Sequence, residues 1–259
     1  MDVINRHLKN LNRVEFIITR DCTGRCKHCS EGGNSGNGVF LDAESACQAL
    51  SDIAREYNIT SVMTFGGEPL LHHDSVCKIH TEAKKLGIEK RQIITNGFFS
   101  RDAAKIKSVA KEVAECGAND ILLSVDAFHQ ETIPIDAVLL FAETLLQCGA
   151  SLRLNPAWLG SRDDKNPYNL KTSEILEKFI ALGIAEGAGN IIFPQENAKK
   201  YLSDYFENGK EYINPYEDNP EDLKAISIEQ DGKLLGKNIN QENALEILRN
   251  YNPQMKGCC

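Results

Sequence analysis

Short apolar runs alternate along the chain with longer segments whose apolar positions recur at helical spacing. Residues 14–19, 61–65, 92–95, 120–125, 151–155 and 190–193 predict strands. Residues 42–57, 75–86, 101–116, 135–148 and 173–182 predict helices between them; in the first, Cys47, Leu50, Ile53, Ala54 and Tyr57 share one face. Asp42 and Ser100 are N-cap residue types. Gly87, Gly117, Gly149 and Gly183 stand where a helix end favours positive φ. This order of cap, helix, glycine and strand predicts an α/β fold, a parallel sheet wrapped by helices. Six such units predict a partial barrel, with functional loops past the strand C-termini.

The pattern stops near residue 198. A helix over 198–206 leads into a polar stretch with Pro215 and Pro220. Runs at 225–229 and 233–235 flank Gln230-Asp231-Gly232 and predict a β-hairpin, followed by a helix over 243–251. The predicted organisation is therefore a barrel over 1–197 and a short C-terminal extension over 198–259.

Composition narrows the classes. With 259 residues, 42% of them hydrophobic, the chain can bury the core of one barrel-sized domain. A net charge of −8 argues against a general polyanion-binding surface, so nucleic acid is not an expected partner. The first residues lack a signal-peptide pattern, and no run approaches 18 apolar residues, so no membrane span is expected. Nine cysteines in that context suit a reducing cytoplasm. Cys47, Cys77, Cys116 and Cys148 fall in helical segments and are expected to act as small buried hydrophobes.

Cys22, Cys26 and Cys29 stand in Cys-x3-Cys-x2-Cys spacing just after the first predicted strand. Three thiolates on one loop can hold three corners of an iron–sulfur cube and leave the fourth iron open. The same spacing admits zinc, although structural zinc sites are usually closed by four paired ligands, and only His28 lies inside this loop. At the end of the second predicted strand stands Gly66-Gly67-Glu68-Pro69. Its glycines permit close backbone approach, its glutamate offers a carboxylate, and its proline ends strand pairing.

The two motifs together resemble the signature of the radical S-adenosylmethionine (SAM) superfamily, and the resemblance extends over residues 14–193. It implies an open (β/α)6 barrel in which Cys22, Cys26 and Cys29 ligate a [4Fe–4S] cluster whose open iron chelates SAM. Gly66, Gly67, Glu68 and Pro69 would then hold the methionine amino group, with Glu68 neutralising and orienting it. Ile93-Ile94-Thr95-Asn96-Gly97 resembles the family's Thr-Asn-Gly, which brings in Asn96. Ser124 and Asp126 are similar to a Ser-x-Asp that contacts the SAM ribose or carboxylate, and Arg153 and Asn155 end the fifth strand.

The implied activity is reductive cleavage of SAM to methionine and a 5′-deoxyadenosyl radical, which abstracts hydrogen from a peptide or small-molecule substrate. A flavodoxin- or ferredoxin-type protein would supply the electron. Two alternatives stay open: an activating enzyme that installs a glycyl radical on a protein partner, and a non-enzymatic metal-binding or redox-sensing module. Activating enzymes commonly carry additional ferredoxin-like cysteines, which this chain lacks. The third reading leaves Gly-Gly-Glu-Pro without a purpose.

The ending is similar to the tail of radical SAM maturases, whose extra domain holds an auxiliary cluster. Residues 198–257 contain no cysteine, however, so one cluster is expected. His129 is a candidate for catalysis or substrate binding, against a structural role for the imidazole. Trp158 is either a pocket wall or ordinary packing. The glycine-rich stretch 31–38 is expected to be a connector rather than a lid. Cys258, beside Cys259, reads as part of a frayed terminus, as a catalytic thiol, or as a cluster ligand.

Overall fold

Alternation within the short strands gives the sheet one apolar face. In β1 (Arg13–Ile17), Val14 and Phe16 are fully buried in the main core. β2 (Ser61–Phe65), β3 (Lys90–Thr95), β4 (Asp120–Leu123) and β5 (Leu152–Leu154) each pair in parallel with the strand before. Val62, Ile93, Ile121, Leu123, Leu152 and Leu154 continue the apolar row. The structure, a computed structural model, describes residues 4–32, 36–207, 209–212, 214 and 218–253.

After β5 the chain leaves the sheet at Pro156, which has no N–H to give to a ladder. It forms β6 (Ala157–Leu159), returns beside β5 as β7 (Ala185–Glu186), and leaves again for β8 (Asn190–Ile192), which pairs in parallel with β6. It comes back as β9 (Ala225–Ile228), in parallel with β1. The sheet order is β7-β5-β4-β3-β2-β1-β9, with open edges at β7 and β9. The predicted partial barrel is thus present and is not closed.

Around it run α1 (Ala43–Glu56), α2 (His73–Lys85), α3 (Ala103–Glu115), α4 (Ala127–Gln130), α5 (Ile135–Gln147), α6 (Pro167–Ile180), α7 (Glu196–Tyr201) and α8 (Ala244–Arg249). Asp42 caps α1 through the N–H of Ser45, as predicted. Asp102, not Ser100, caps α3, and the Ser100 hydroxyl accepts from the Asp102 N–H instead. The helix expected from 173 begins at Pro167, because Asn166 is an N-cap and Pro167 suits the first helical position. Among the described residues no helix is long and apolar enough to cross a membrane.

Two predicted strands sit elsewhere. Residues 190–193 do not form the sixth barrel strand: Gly187 N–H bonds to Leu154 O at 2.8 Å, which sets β7 on the edge. The run at 225–229 joins the main sheet rather than a hairpin. The hairpin of the extension is β10 (Lys233–Leu234) with β11 (Lys237–Asn238), turned by Leu235 and Gly236 at φ +49° and +83°. Asp231-Gly232 makes a separate turn, closed by Glu229 N–H to Lys233 O at 2.9 Å. Cys116 is buried as expected and Cys47 and Cys77 are half-buried, whereas Cys148 is exposed because it caps the solvent end of α5.

The opposite face of the sheet carries polar side chains. Register aligns Ser227, Glu15, Met63, Gln92 and Asp120 in one lateral row near the strand N-termini. Ser227 donates to Glu15 at 3.1 Å, Arg13 to Glu15 at 2.6 Å and to Gln92 at 3.3 Å, and Gln92 to Asp120 at 2.6 Å. Arg153 closes the chain with two bonds to Asp120, at 2.8 and 2.9 Å. One step toward the strand C-termini the face is apolar, pairing Ile17 with Phe65 and Ile94 with Leu122.

Between sheet and helices lies one polar pair, Thr64 Oγ1 at 2.9 Å from His80 Nε2 of α2. His80 is fully buried, its Nδ1 has no partner among the described residues, and burial lowers its pKa to about 3. The folded value lies below the ordinary one, so the unfolded chain takes up the proton first as pH falls. This contribution to stability is complete above pH ~6.5 and is lost as pH falls toward 3. Urea unfolding should show His80 costing about 2 kcal/mol between pH 7 and 5, a loss that His80→Gln removes. An identical pH dependence in the variant would reject the assignment.

Candidate functional site

Beyond Ile17 the chain crosses the rim as the loop bearing the three cysteines. Cys26 is buried, Cys22 and Cys29 are half-buried, and none is in a disulfide. Gly24 packs tightly here, since a Cβ would lie 3.0 Å from Ile133 and 3.3 Å from Cys26 Sγ. Cys22 Sγ accepts from Gly24 N–H at 3.3 Å and from the Asn96 amide at 3.5 Å. Burial, reinforced by nearby Glu68, pushes the Cys22 thiol up to about 12, and burial raises Cys29 as well. Ionising Cys26 or Cys29 would raise Cys22 further, so the three sulfurs lie within electrostatic reach of one another.

Polar braces fix this loop from several sides. Asn197 of α7 donates to Cys26 O at 3.1 Å and Gly32 O at 3.2 Å, and its N–H to Cys29 O at 3.3 Å. Arg25 N–H bonds to Thr132 at 3.1 Å, and Lys27 pairs with Glu131 at 3.0 Å. Arg20 joins Glu31, Glu229 and Gln230, which ties the loop to the C-terminal extension. Asn197 and Thr132 were not legible in the sequence, where each is an isolated polar residue.

Gly66 and Gly67 lie directly against the start of the cysteine loop. Gly66 has φ +136°, and a Cβ on it would sit 2.4 Å from Thr19 O; on Gly67 it would sit 2.2 Å from Asp21 O. That approach allows Gly67 N–H to reach Thr19 O at 2.7 Å and Glu68 N–H to reach Asp21 O at 2.8 Å. Pro69 then opens a short 3-10 turn, Pro69–His72. The Glu68 carboxylate turns inward. It is fully buried, with Leu70 N–H and the Thr95 hydroxyl on Oε1 at 2.9 and 2.7 Å and Asn96 N–H on Oε2 at 2.8 Å. Burial raises its pKa to about 7 despite these donors.

Asp126 is a second buried carboxylate. It caps α4 by accepting from Phe128 and His129 N–H at 3.0 and 2.9 Å, and it also takes Ala157 N–H at 3.0 Å and His129 Nδ1 at 2.8 Å. Burial works against its charge, but His129 outweighs burial and holds it down at about 2. For His129 burial likewise opposes protonation, and Asp126 and Cys26 raise it well above the ordinary value. His129 therefore lies on a short helix, hydrogen-bonded on one side to Asp126 and on the other to Cys26. An N-cap aspartate followed by a helical turn was the signal for α4 that periodicity over so few residues could not give.

The ligand atoms of Cys26, His28 and His129 all lie within 4.8 Å of one another. The His28 ring stands 4.9 Å from those of Phe128 and His129; burial lowers its pKa to about 4, and its Nδ1 has no partner among the described residues. Asn96 faces Cys22 and Thr23. Ser124 and Asn155 stand on the same rim, joined through backbone N–H to Thr95 O and Leu123 O, both at 2.8 Å. Arg153 lies one layer lower, on Asp120. Trp158 is 1% exposed, so it packs rather than lining a cavity. Cys258 lies outside the described residues.

Three thiols on one loop, two of them pushed toward their neutral forms, await a cation that would ionise them. The three neighbouring thiols and the orphaned His28 nitrogen beside Cys26 fit an iron–sulfur cube at this place. Comparison with known proteins agrees. The radical SAM superfamily model matches residues 16–143. A probable GTP 3',8-cyclase of Saccharolobus solfataricus is 30% identical over 50% of this chain and 40% of its own length. One of Saccharolobus islandicus is 26% identical over 79% of this chain and 68% of its own. The chain thus spans less than half of the first of these relatives. Among solved structures, Streptococcus suis SuiB bound to S-adenosylmethionine matches 95% of this chain and 67% of that one, with TM-score 0.63 and 15% identity. Native anSMEcpe with bound AdoMet matches 93% of this chain and 81% of that one, with TM-score 0.59 and 14% identity. Residues 16–143 thus form a radical SAM superfamily domain, the domain of a class of enzymes whose cofactors are SAM and a [4Fe–4S] cluster.

Proposed function

We propose that this enzyme abstracts a hydrogen atom from a small polar molecule held on the open face of the sheet, directly below the rim. The observation that carries this reading is the layering of that face: cysteine loop and Gly-Gly-Glu-Pro at the rim, an apolar layer beneath, and a hydrogen-bonded polar row beneath that. Cys22, Cys26 and Cys29 would hold the cluster. Cluster and SAM together supply one-electron cleavage of a carbon–sulfur bond and a primary carbon radical.

The chain's own residues would bind and orient. With the Glu68 carboxylate turned inward, the backbone of Gly66 and Gly67 is left to receive the methionine amino group, while Glu68 and Pro69 set its course. Asn96, Ser124 and Asn155 would line the nucleoside side of the rim. Asp126 would act through His129, holding the imidazole against Cys26 rather than touching SAM. A flavodoxin- or ferredoxin-type donor, a reducing cytoplasm, and a functional division near residue 197 belong to the same proposal.

The substrate class follows from charge. Arg13 is matched by Glu15 and Arg153 by Asp120, so the polar row carries both signs in balance. Such a row suits a zwitterionic or uncharged polar molecule; a triphosphate would need an excess of cations. The names of the relatives favour a second reading, in which the substrate is GTP.

Reduction with dithionite in the presence of SAM should yield 5′-deoxyadenosine from the native enzyme and none from Cys26→Ala. That variant should also lack the broad absorbance near roughly 400 nm of an iron–sulfur cube; continued 5′-deoxyadenosine production would exclude the assigned role. A panel of amino acids, short peptides and nucleotides should contain a zwitterionic compound that accelerates this cleavage. Arg153→Ala should raise the KM for that compound about tenfold or more while leaving substrate-free SAM cleavage unchanged. Acceleration by GTP alone would transfer the reading to a cyclase. Asp126→Ala, which leaves buried donors and an imidazolium unpaired, should lower urea stability by about 3–5 kcal/mol, against under about 1 for Ser124→Ala. Equal effects would remove Asp126 from its bracing role.

A further inference from the structure

Outside the rim, α2 and α3 place four metal-ligating side chains in register. His73 and Cys77 are four residues apart on α2, and Glu112 and Cys116 are four apart at the end of α3. Residues at that spacing share one helix face, so the two helices meet as a ladder of two rungs. In the first rung His73 Nε2 lies 3.3 Å from Glu112 Oε2 and 3.5 Å from Asp74 Oδ1, and all three ligand atoms fall within 4.8 Å of one another. In the second rung the thiols of Cys77 and Cys116 lie within electrostatic reach of each other, Cys116 Sγ donating to Val113 O at 3.2 Å, and neither is in a disulfide.

We propose that His73, Cys77, Glu112 and Cys116 form a second metal site, for zinc or a similar borderline divalent cation, separate from the cluster. An imidazole, a carboxylate and two thiolates are a donor set zinc accepts in tetrahedral geometry. The rungs are one helical turn apart, roughly 5.4 Å. Side chains lean toward the amino end of a helix, which carries both sulfurs toward the first rung. His73 and Glu112 have 20% and 47% of their side chains exposed, so they are able to rotate inward over the sulfurs. Two thiolates and one carboxylate would outweigh the ion's two positive charges, and the carboxyl end of α3 adds its dipole. Asp74, at the solvent side, marks the route of entry. The bound ion would fasten the first turn of α2, which follows Gly66–Pro69 through one short turn, to the last turn of α3.

The test uses the cluster-loaded full chain under anaerobic conditions, incubated with zinc sulfate, desalted, and analysed for zinc and iron. The expected result is about one zinc per chain with iron unchanged. Cys77→Ser/Cys116→Ser should lose that zinc and keep its iron, while Cys47→Ser/Cys148→Ser keeps both. His73→Ala/Glu112→Gln, altered only on the solvent side, should weaken zinc binding about tenfold or more, which keeps the test open if the thiol variant does not fold. Equal zinc in all four proteins would overturn the site. So would zinc that enters only as iron leaves, or a peptide map showing Cys77 joined to Cys116 in a disulfide.

Discussion

The site depends on the close approach of the Gly66-Gly67 backbone to residues 19–21. A single methyl group on Gly67 would lie 2.2 Å from Asp21 O, so no other residue lets the two rim loops meet as they do. Glu68 extends the clamp to the third strand through Thr95 and Asn96. Asp126 repeats the device further along, joining the end of β4 to α4 and β6. The two carboxylates are equally buried but titrate in opposite directions. Asp126 has an imidazolium against it and falls to about 2; Glu68 has only neutral donors and rises to about 7. A charged partner, more than the number of hydrogen bonds, decides which buried acid stays ionised.

Openness of the sheet follows from its short edges. β7 has two residues, and β9 reaches β1 only after an excursion of more than thirty residues, so among the described residues no strand closes the gap between them. An open barrel exposes its inner face, and a polar row can survive there only if its members satisfy one another. Arg13, Glu15, Gln92, Asp120, Arg153 and Ser227, from five strands, do so. The apolar layer above them separates this network from the rim, which keeps its charges from competing with those beside the cysteines.

Most of the architecture was legible in the sequence because cap, periodic helix, glycine and strand recur with little interference. It failed where length failed. Residues 190–193 have a strand's composition, but pairing is decided by Gly187 and by the kink at Pro156, and neither announces a partner. Asp-Gly at 231–232 does turn the chain, yet β9 finds a better edge in β1 than in its neighbour. At the site the cysteines and glycines were visible because chemistry and close approach restrict those residue types sharply. The inward course of Glu68 was not, since a motif names a carboxylate without saying which loop donates to it. Asn197 was invisible for the same reason: bonding to backbone carbonyls 165 and 171 positions away leaves no local signature.

That long-range bond points to how the cysteine loop is supported. Cys26 does not belong to the main core; it packs with Phe128, Ala157, Leu159, Ile192, Ala198 and Leu202 in a small separate one. β6, β8 and α7, the elements that broke the barrel pattern, are what build that core. The loop is therefore held between two bodies, the sheet rim on one side and this minor core on the other, with polar braces across both. A loop supported in this way keeps its sulfurs near one another without a disulfide. The departure of β6 and β8 from the main sheet is then the structural condition for placing Cys26 and His129 side by side.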